Sequence, residues 1–265
     1  MTSSVANHLT SHESIGAAIH AAKARGEPAI VAFMTAGFPS PAHFQEDLLQ
    51  VAAAADVVEI GVPFTDPMAD GMTIQRASHV ALTQGVSLSW ILSQLTSMTP
   101  RPKAPLLLMS YLNPLLAFGL DRLPKAAREA GVSGFIVPDL PFEESTEMRA
   151  ALTAEGVGLV QMVSPVTPTE RLRTLCAAGQ GFIYAVTMTG TTGKNVAVPD
   201  EVIEYLDRVS ASATVPVCAG FGIRDRQQVL RLKEHVSGVV VGSALVEVLE
   251  RRDDPAAFIR SLRGQ

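Results

Sequence analysis

The sequence predicts an α/β fold in which eight parallel strands, each followed by a helix, close into a (β/α)8 barrel behind one extra N-terminal helix. Three observations carry that expectation. Eight short β-rich apolar runs alternate with longer stretches of helical period. The runs are apolar almost continuously, as parallel strands covered on both faces require. No dinucleotide-type glycine fingerprint follows the first run, which favours a closed barrel over an open doubly wound sheet.

The elements follow in order. Ile15, Ala18, Ile19 and Ala22 lie on one face of an opening helix, placed to cover the bottom of a barrel. The strands are expected at Ala29–Thr35, Val57–Val62, Pro105–Ser110, Gly134–Val137, Gly158–Val163, Gly181–Thr187, Val215–Ala219 and Gly238–Gly242. Amphipathic stretches between them, such as Val202, Ile203, Leu206 and Val209, can each cover a strand. No low-complexity linker divides the chain, so residues 1–265 are expected to form a single TIM-barrel domain.

Composition excludes several classes of function. With 21 basic against 26 acidic residues and a formal charge of −5, the chain has no basic field to attract nucleic acid or an anionic membrane. Two cysteines in apolar surroundings, Cys176 and Cys218, form no disulfide framework and suit a reducing compartment. The first residues lack an apolar signal core, and no apolar run approaches about 18 residues. A cytoplasmic location is the expectation.

In a barrel, chemistry belongs to the loops after the strands' C-terminal ends. Glu59 interrupts an apolar strand, where an unpaired buried carboxylate costs several kcal/mol. It is either a structural carboxylate satisfied by a hydroxyl or backbone partner, or an acid/base whose pKa is raised by apolar walls. Asp70 is on its own read as a turn residue or helix cap. Paired with Glu59 across a barrel mouth, it becomes a second carboxylate for dividing proton traffic, as a retro-aldol cleavage needs. Gly220-Phe221-Gly222 and Gly242-Ser243-Ala244, after the seventh and eighth runs, either permit tight turns or let backbone N–H groups and the following helix N-termini grip a phosphate. Gly190 and Gly193 extend that cradle or hinge a lid.

The six histidines do not gather at strand ends, so no metal site is expected, and no lysine stands there for a Schiff base. No cofactor is expected either.

The segment Val58-Glu59-Ile60-Gly61-Val62-Pro63-Phe64-Thr65-Asp66-Pro67-Met68-Ala69-Asp70-Gly71 resembles the signature of the tryptophan synthase α subunit family. Phe33-Met34-Thr35-Ala36-Gly37, Ile136-Val137-Pro138-Asp139-Leu140-Pro141, Gly190-Thr191-Thr192-Gly193, Gly220-Phe221-Gly222-Ile223 and Val240-Val241-Gly242-Ser243-Ala244 are similar to further family segments, in the family's order. The resemblance implies cleavage of indole-3-glycerol phosphate to indole and glyceraldehyde 3-phosphate. Glu59 would be the acid/base and Asp70 would bind the indole N–H. Phe33, Tyr184 and Phe221 would line the indole pocket with Thr192 beside Asp70, while Gly193, Gly222, Gly242 and Ser243 would hold the phosphate. It also implies an α2β2 heterotetramer with a pyridoxal-phosphate β subunit, faced by Asp66, Pro67 and the Tyr111 to Pro114 segment with Asn113. Phe38 and Phe142, where the family commonly carries other residues, are expected near that partner surface. The alternatives are a stand-alone lyase releasing free indole, a catalytically idle barrel that regulates a partner, and a barrel acting on a small sugar phosphate.

Overall fold

The computed structural model describes residues 11–187, 198–220 and 222–264. Nine strands pair in parallel in the order β5-β4-β3-β2-β1-β9-β8-β7-β6. Their ranges are β1 Ala29–Thr35, β2 Val57–Gly61, β3 Leu106–Met109, β4 Val132–Ile136, β5 Gly158–Leu159, β6 Gln161–Val163, β7 Ile183–Val186, β8 Val217–Gly220 and β9 Gly238–Val241.

The fifth run expected from the sequence is thus divided in two, and the division is what closes the ring. Gly158 and Leu159 pair with β4, whereas Gln161, Met162 and Val163 pair with β7. Only Val160 separates the halves, and its N–H still donates to the Phe135 carbonyl at 2.9 Å. One continuous stretch of chain therefore serves both neighbours in succession, as the stagger of a closed barrel demands.

Side chains along each strand alternate between two environments. Ile30, Ala32, Met34, Val58, Ile60, Val239 and Val241 face outward into a core shared with the surrounding helices. Helix Phe44–Ala54 shows how that layer is built: Phe44, Leu48, Val51 and Ala52 share one buried face. The inward set includes Ala29, Val31, Val57, Leu107, Ile136, Val160, Phe182, Tyr184, Cys218 and Val240. Helix Ser11–Ala24 packs into this inner cluster through Ile15, Ile19 and Ala22, all fully buried. The lower end is thereby sealed, since burying each isoleucine is worth roughly 1.5–3 kcal/mol. All strands run the same way, so their C-terminal ends open together at the other end.

Among the described residues, no helix is long and apolar enough to cross a membrane.

Candidate active site

Strand alternation carries Phe33, Glu59, Leu107, Tyr184 and Gly220 to the inner wall. Glu59 lies in register with Phe33 on one side and Leu107 on the other, which leaves it between apolar neighbours. It is 1% exposed, and neither carboxylate oxygen has a hydrogen-bond partner among the described residues. That geometry does not match a structural carboxylate satisfied by a neighbour, because such a group would be bonded. Burial, with a smaller contribution from the charge of Asp70, raises the Glu59 pKa from 4.5 to about 8. The Tyr184 hydroxyl is driven well above its ordinary value, first by burial and then by the charges of Glu59 and Asp70. All three groups therefore act on one another across the same space.

Two glycines shape that space. A Cβ at Gly61 would come within 2.6 Å of the Phe33 ring, and one at Gly220 within 2.4 Å of the Tyr184 ring. Each aromatic ring leans over a glycine of the adjoining strand, which a larger residue would forbid.

Asp70 sits where the loop after β2 enters helix Met72–Thr83. The helix cap is Gly71, and no side chain caps it, so Asp70 is not the capping residue. Its N–H donates to the Pro67 carbonyl at 3.1 Å, and Gln75 Nε2 donates to its carbonyl at 2.8 Å. The carboxylate turns inward instead, accepting a hydrogen bond from the Tyr111 hydroxyl at 3.3 Å. Burial raises its pKa to about 6, against the lowering effect of that bond. The two carboxyls thus hold their protons with different strengths, which is how paired carboxylates come to divide acid and base work.

Of the glycine loops, Gly242 precedes helix Ser243–Glu250 directly, with no side chain capping the helix, and Ser243 is half-buried at its first position. Its opening N–H groups face the end of β9. Gly222 adopts φ +75°, a left-handed conformation that glycine alone enters freely. The helix that follows differs from expectation. It begins only at Arg226, and Asp225 caps it in a reciprocal capping box with Gln228, so part of its N-terminus is taken up by its own side chains. Of these two helices, the Ser243 helix is the one whose N-terminus has no side-chain cap and can meet an anion. Thr192, Gly193 and Phe221 lie outside the described residues.

Asp66 and Asn113 are exposed and Pro67 is half-buried, all around the mouth. Phe38 was expected near the partner surface but is 3% exposed, packed with Phe33, Ala77 and Val246. Phe142 is half-buried under the Arg149 guanidinium, 4.4 Å from its ring centre. Two mouth residues escaped the sequence reading. Thr35, at the end of β1, is 1% exposed with its hydroxyl oxygen unpartnered among the described residues. Tyr111, assigned from sequence to the partner surface, is 5% exposed and bonded to Asp70. An aromatic residue directly after the third strand was the available signal. Among the described residues, no group of three or more His, Cys, Asp or Glu side chains is arranged to hold a metal ion.

The profile of the tryptophan synthase alpha chain family matches residues 19–262. The chain belongs to the tryptophan synthase alpha chain family. The tryptophan synthase alpha chain of Nitratidesulfovibrio vulgaris (strain DP4) is 42% identical over 244 residues, 92% of this chain and 95% of that protein. The tryptophan synthase alpha chain of Carboxydothermus hydrogenoformans is 41% identical over 237 residues, 89% of each. Among solved structures, the tryptophan synthase subunit alpha of Legionella pneumophila str. Paris superimposes with a TM-score of 0.85 at 30% identity, covering 95% of this chain and 97% of that one. A tryptophan synthase from M. tuberculosis, solved in an aminoacrylate-bound form, gives a TM-score of 0.83 at 29% identity, with coverages of 94% and 97%. Tryptophan synthase alpha chain barrels thus match this fold from the plugging helix to the last turns.

Proposed function

We propose that this chain cleaves indole-3-glycerol phosphate by a retro-aldol reaction, with Glu59 as the acid/base and Asp70 as the counter-charge to the indole ring. One observation carries the reading: the Glu59 carboxyl is buried without a hydrogen-bond partner among the described residues, and burial together with the nearby charge of Asp70 pushes its pKa up to about 8, while burial pushes that of Asp70 up to about 6.

Near neutrality Glu59 keeps its proton while Asp70 is ionised. Glu59 donates that proton to indole C3, and the positive charge created on the ring is stabilised by Asp70 at the indole N–H. The Glu59 carboxylate then takes the proton of the adjacent glycerol hydroxyl. As the carbonyl forms, the bond from that carbon to C3 breaks, and its electron pair restores the aromatic ring. Indole and glyceraldehyde 3-phosphate leave, Glu59 is again protonated, and no water or cofactor is consumed. Phe33 and Tyr184, with Phe221, flank the ring. Ser243, Gly242, Gly222 and Gly193 take the phosphate, and Thr192 stands beside Asp70.

Between about 6 and about 8 both groups are in the required state, so kcat/KM should follow a bell whose limbs belong to the pair. Below the lower limb Asp70 is neutral; above the upper one Glu59 has no proton to give.

The chain acts as the α subunit of an α2β2 tryptophan synthase, with Asp66, Pro67 and Asn113 in the partner interface, and it works in the cytoplasm. Exposed apolar side chains in the segment after β2 and at the start of the helix that follows it support a docking face: Met68 is 88% and Met72 78% exposed.

The test is indole release from indole-3-glycerol phosphate by the purified chain and its Glu59→Gln variant, each with and without a tryptophan synthase β chain. A loss of about 10³-fold in the variant is expected, within the range of general acid–base catalysis. Marked stimulation by the β chain is expected for the wild type. Retention of most activity by Glu59→Gln would overturn the acid/base assignment, and indifference to the β chain the subunit assignment.

A further inference from the structure

We infer that Tyr111 is a positioning residue for this cleavage, whose hydroxyl aims the Asp70 carboxylate at the indole N–H and holds it as an anion. The inference rests on the assignment of Asp70 above and adds a residue with no role in it so far.

The geometry is a short relay. The Ala69 N–H donates to the Tyr111 hydroxyl oxygen at 2.8 Å, and that hydroxyl donates to Asp70 Oδ2 at 3.3 Å. Because the oxygen already accepts from Ala69, its proton is directed away from that N–H and toward the carboxylate. No other side-chain donor reaches the Asp70 carboxylate among the described residues. Tyr111 is itself held firmly. It is 5% exposed, its ring stacks on Phe64 at 5.1 Å between centres, and the next N–H, that of Leu112, donates to Asp139 Oδ1 at 2.9 Å. The segment after β2 thus supplies both partners of the hydroxyl, while Asp139, beyond β4, fixes the backbone next to it.

The titratable groups around Asp70 show why a donor is needed. Glu59 from β2 and Tyr184 from β7 share its space, and Asp139, beyond β4, acts electrostatically on Tyr111. None of them supplies positive charge, and burial favours the neutral acid. A neutral Asp70 would not stabilise a cationic ring. The Tyr111 bond is what opposes burial.

The experiment is the pH dependence of kcat and kcat/KM for Tyr111→Phe, which keeps the stacked ring and removes only the hydroxyl. The acid limb should move up by about one pH unit, as expected for losing a hydrogen bond to the charged form. The kcat should fall about five-fold at pH 6 and much less at pH 8, with KM nearly constant, because the moved limb leaves less of Asp70 ionised at the lower pH. Phe64→Leu, which disturbs the stacking and leaves the hydroxyl, should not move the limb. Site-specific 3-fluorotyrosine at position 111 supplies a check that does not depend on folding of the phenylalanine variant: its more acidic hydroxyl is a stronger donor and should lower the acid limb. An unmoved limb in Tyr111→Phe or with fluorotyrosine, in an otherwise active enzyme, would overturn the inference while leaving the Glu59 and Asp70 assignment intact. A wild-type chain that releases no indole would overturn that assignment and this inference together.

Discussion

The two ends of the barrel are built from the same strands and carry opposite burdens. At the lower end, Ala29, Val31, Val57, Phe182 and Val240 form one apolar cluster with Ile15 and Ile19 of the opening helix. Further up the same inner wall, alternation delivers Glu59, Tyr184 and Thr35 instead. Glycines serve both ends for different reasons. At the bottom, a Cβ at Gly134 or Gly181 would crowd Ile15, at 3.3 and 3.1 Å, so those glycines admit the plugging helix. At the top, Gly61 and Gly220 admit the rings of Phe33 and Tyr184. One end spends its inner surface on cohesion; the other holds oxygens of Thr35 and Glu59 that have no partner among the described residues, a cost that stability alone does not explain.

That contrast is sharpest at Glu59. Folded Glu59 keeps its proton up to about pH 8, whereas an unfolded glutamate loses it near 4.5. The folded state therefore binds more protons between those values, and stability falls as pH rises through that window. Glu59→Gln, uncharged at every pH, should match the wild type at pH 4 and exceed it at pH 9 by up to about 4 kcal/mol in urea unfolding. A variant that is less stable at pH 9 would show that the mouth carboxyl contributes to cohesion after all. At the opposite end, Ile15→Ala should cost about 3 kcal/mol in the same unfolding measurement, through the cavity it leaves. Its kcat/KM should stay within about two-fold, because Ile15 packs against Gly134 and Gly181 at the end of the barrel opposite the mouth. A large fall in kcat/KM with intact stability would erase the division between the ends.

The smallest effects come from a matched pair of glycines. Gly181 and Gly222 have nearly the same left-handed φ, +73° and +75°, one below and one above. Alanine strains either backbone by about 1 kcal/mol. Gly222 has nothing within 4 Å of the added carbon, so Gly222→Ala should raise KM for the phosphate substrate about five-fold, with little change in unfolding free energy beyond the strain itself. Gly181→Ala should lower stability by more than the strain, because the methyl meets Ile15, and leave KM alone. The two variants exchanging phenotypes would place phosphate binding elsewhere.

Alternating apolar runs and helical stretches sufficed for the barrel and its plugging helix, because strand and helix periodicities are local properties of the chain. Glu59 was legible for a similar reason: a charge inside an apolar strand is conspicuous whatever surrounds it. Local pattern could not say which neighbour each half of the fifth run would meet, since ring closure depends on stagger among strands remote in sequence. Asp70 reads in sequence as a cap or as a second carboxylate at the mouth, and only the folded loop puts Gly71 at the cap and the Asp70 carboxylate on Tyr111. Tyr111 and Phe38 were placed near a partner surface from their segments, and packing turned both side chains inward. The same limit held for the glycine loop that includes Gly222, whose following helix is capped by Asp225. Which residues share an element is written in their spacing; which way a loop side chain points is decided by partners that only the closed barrel brings within bonding distance.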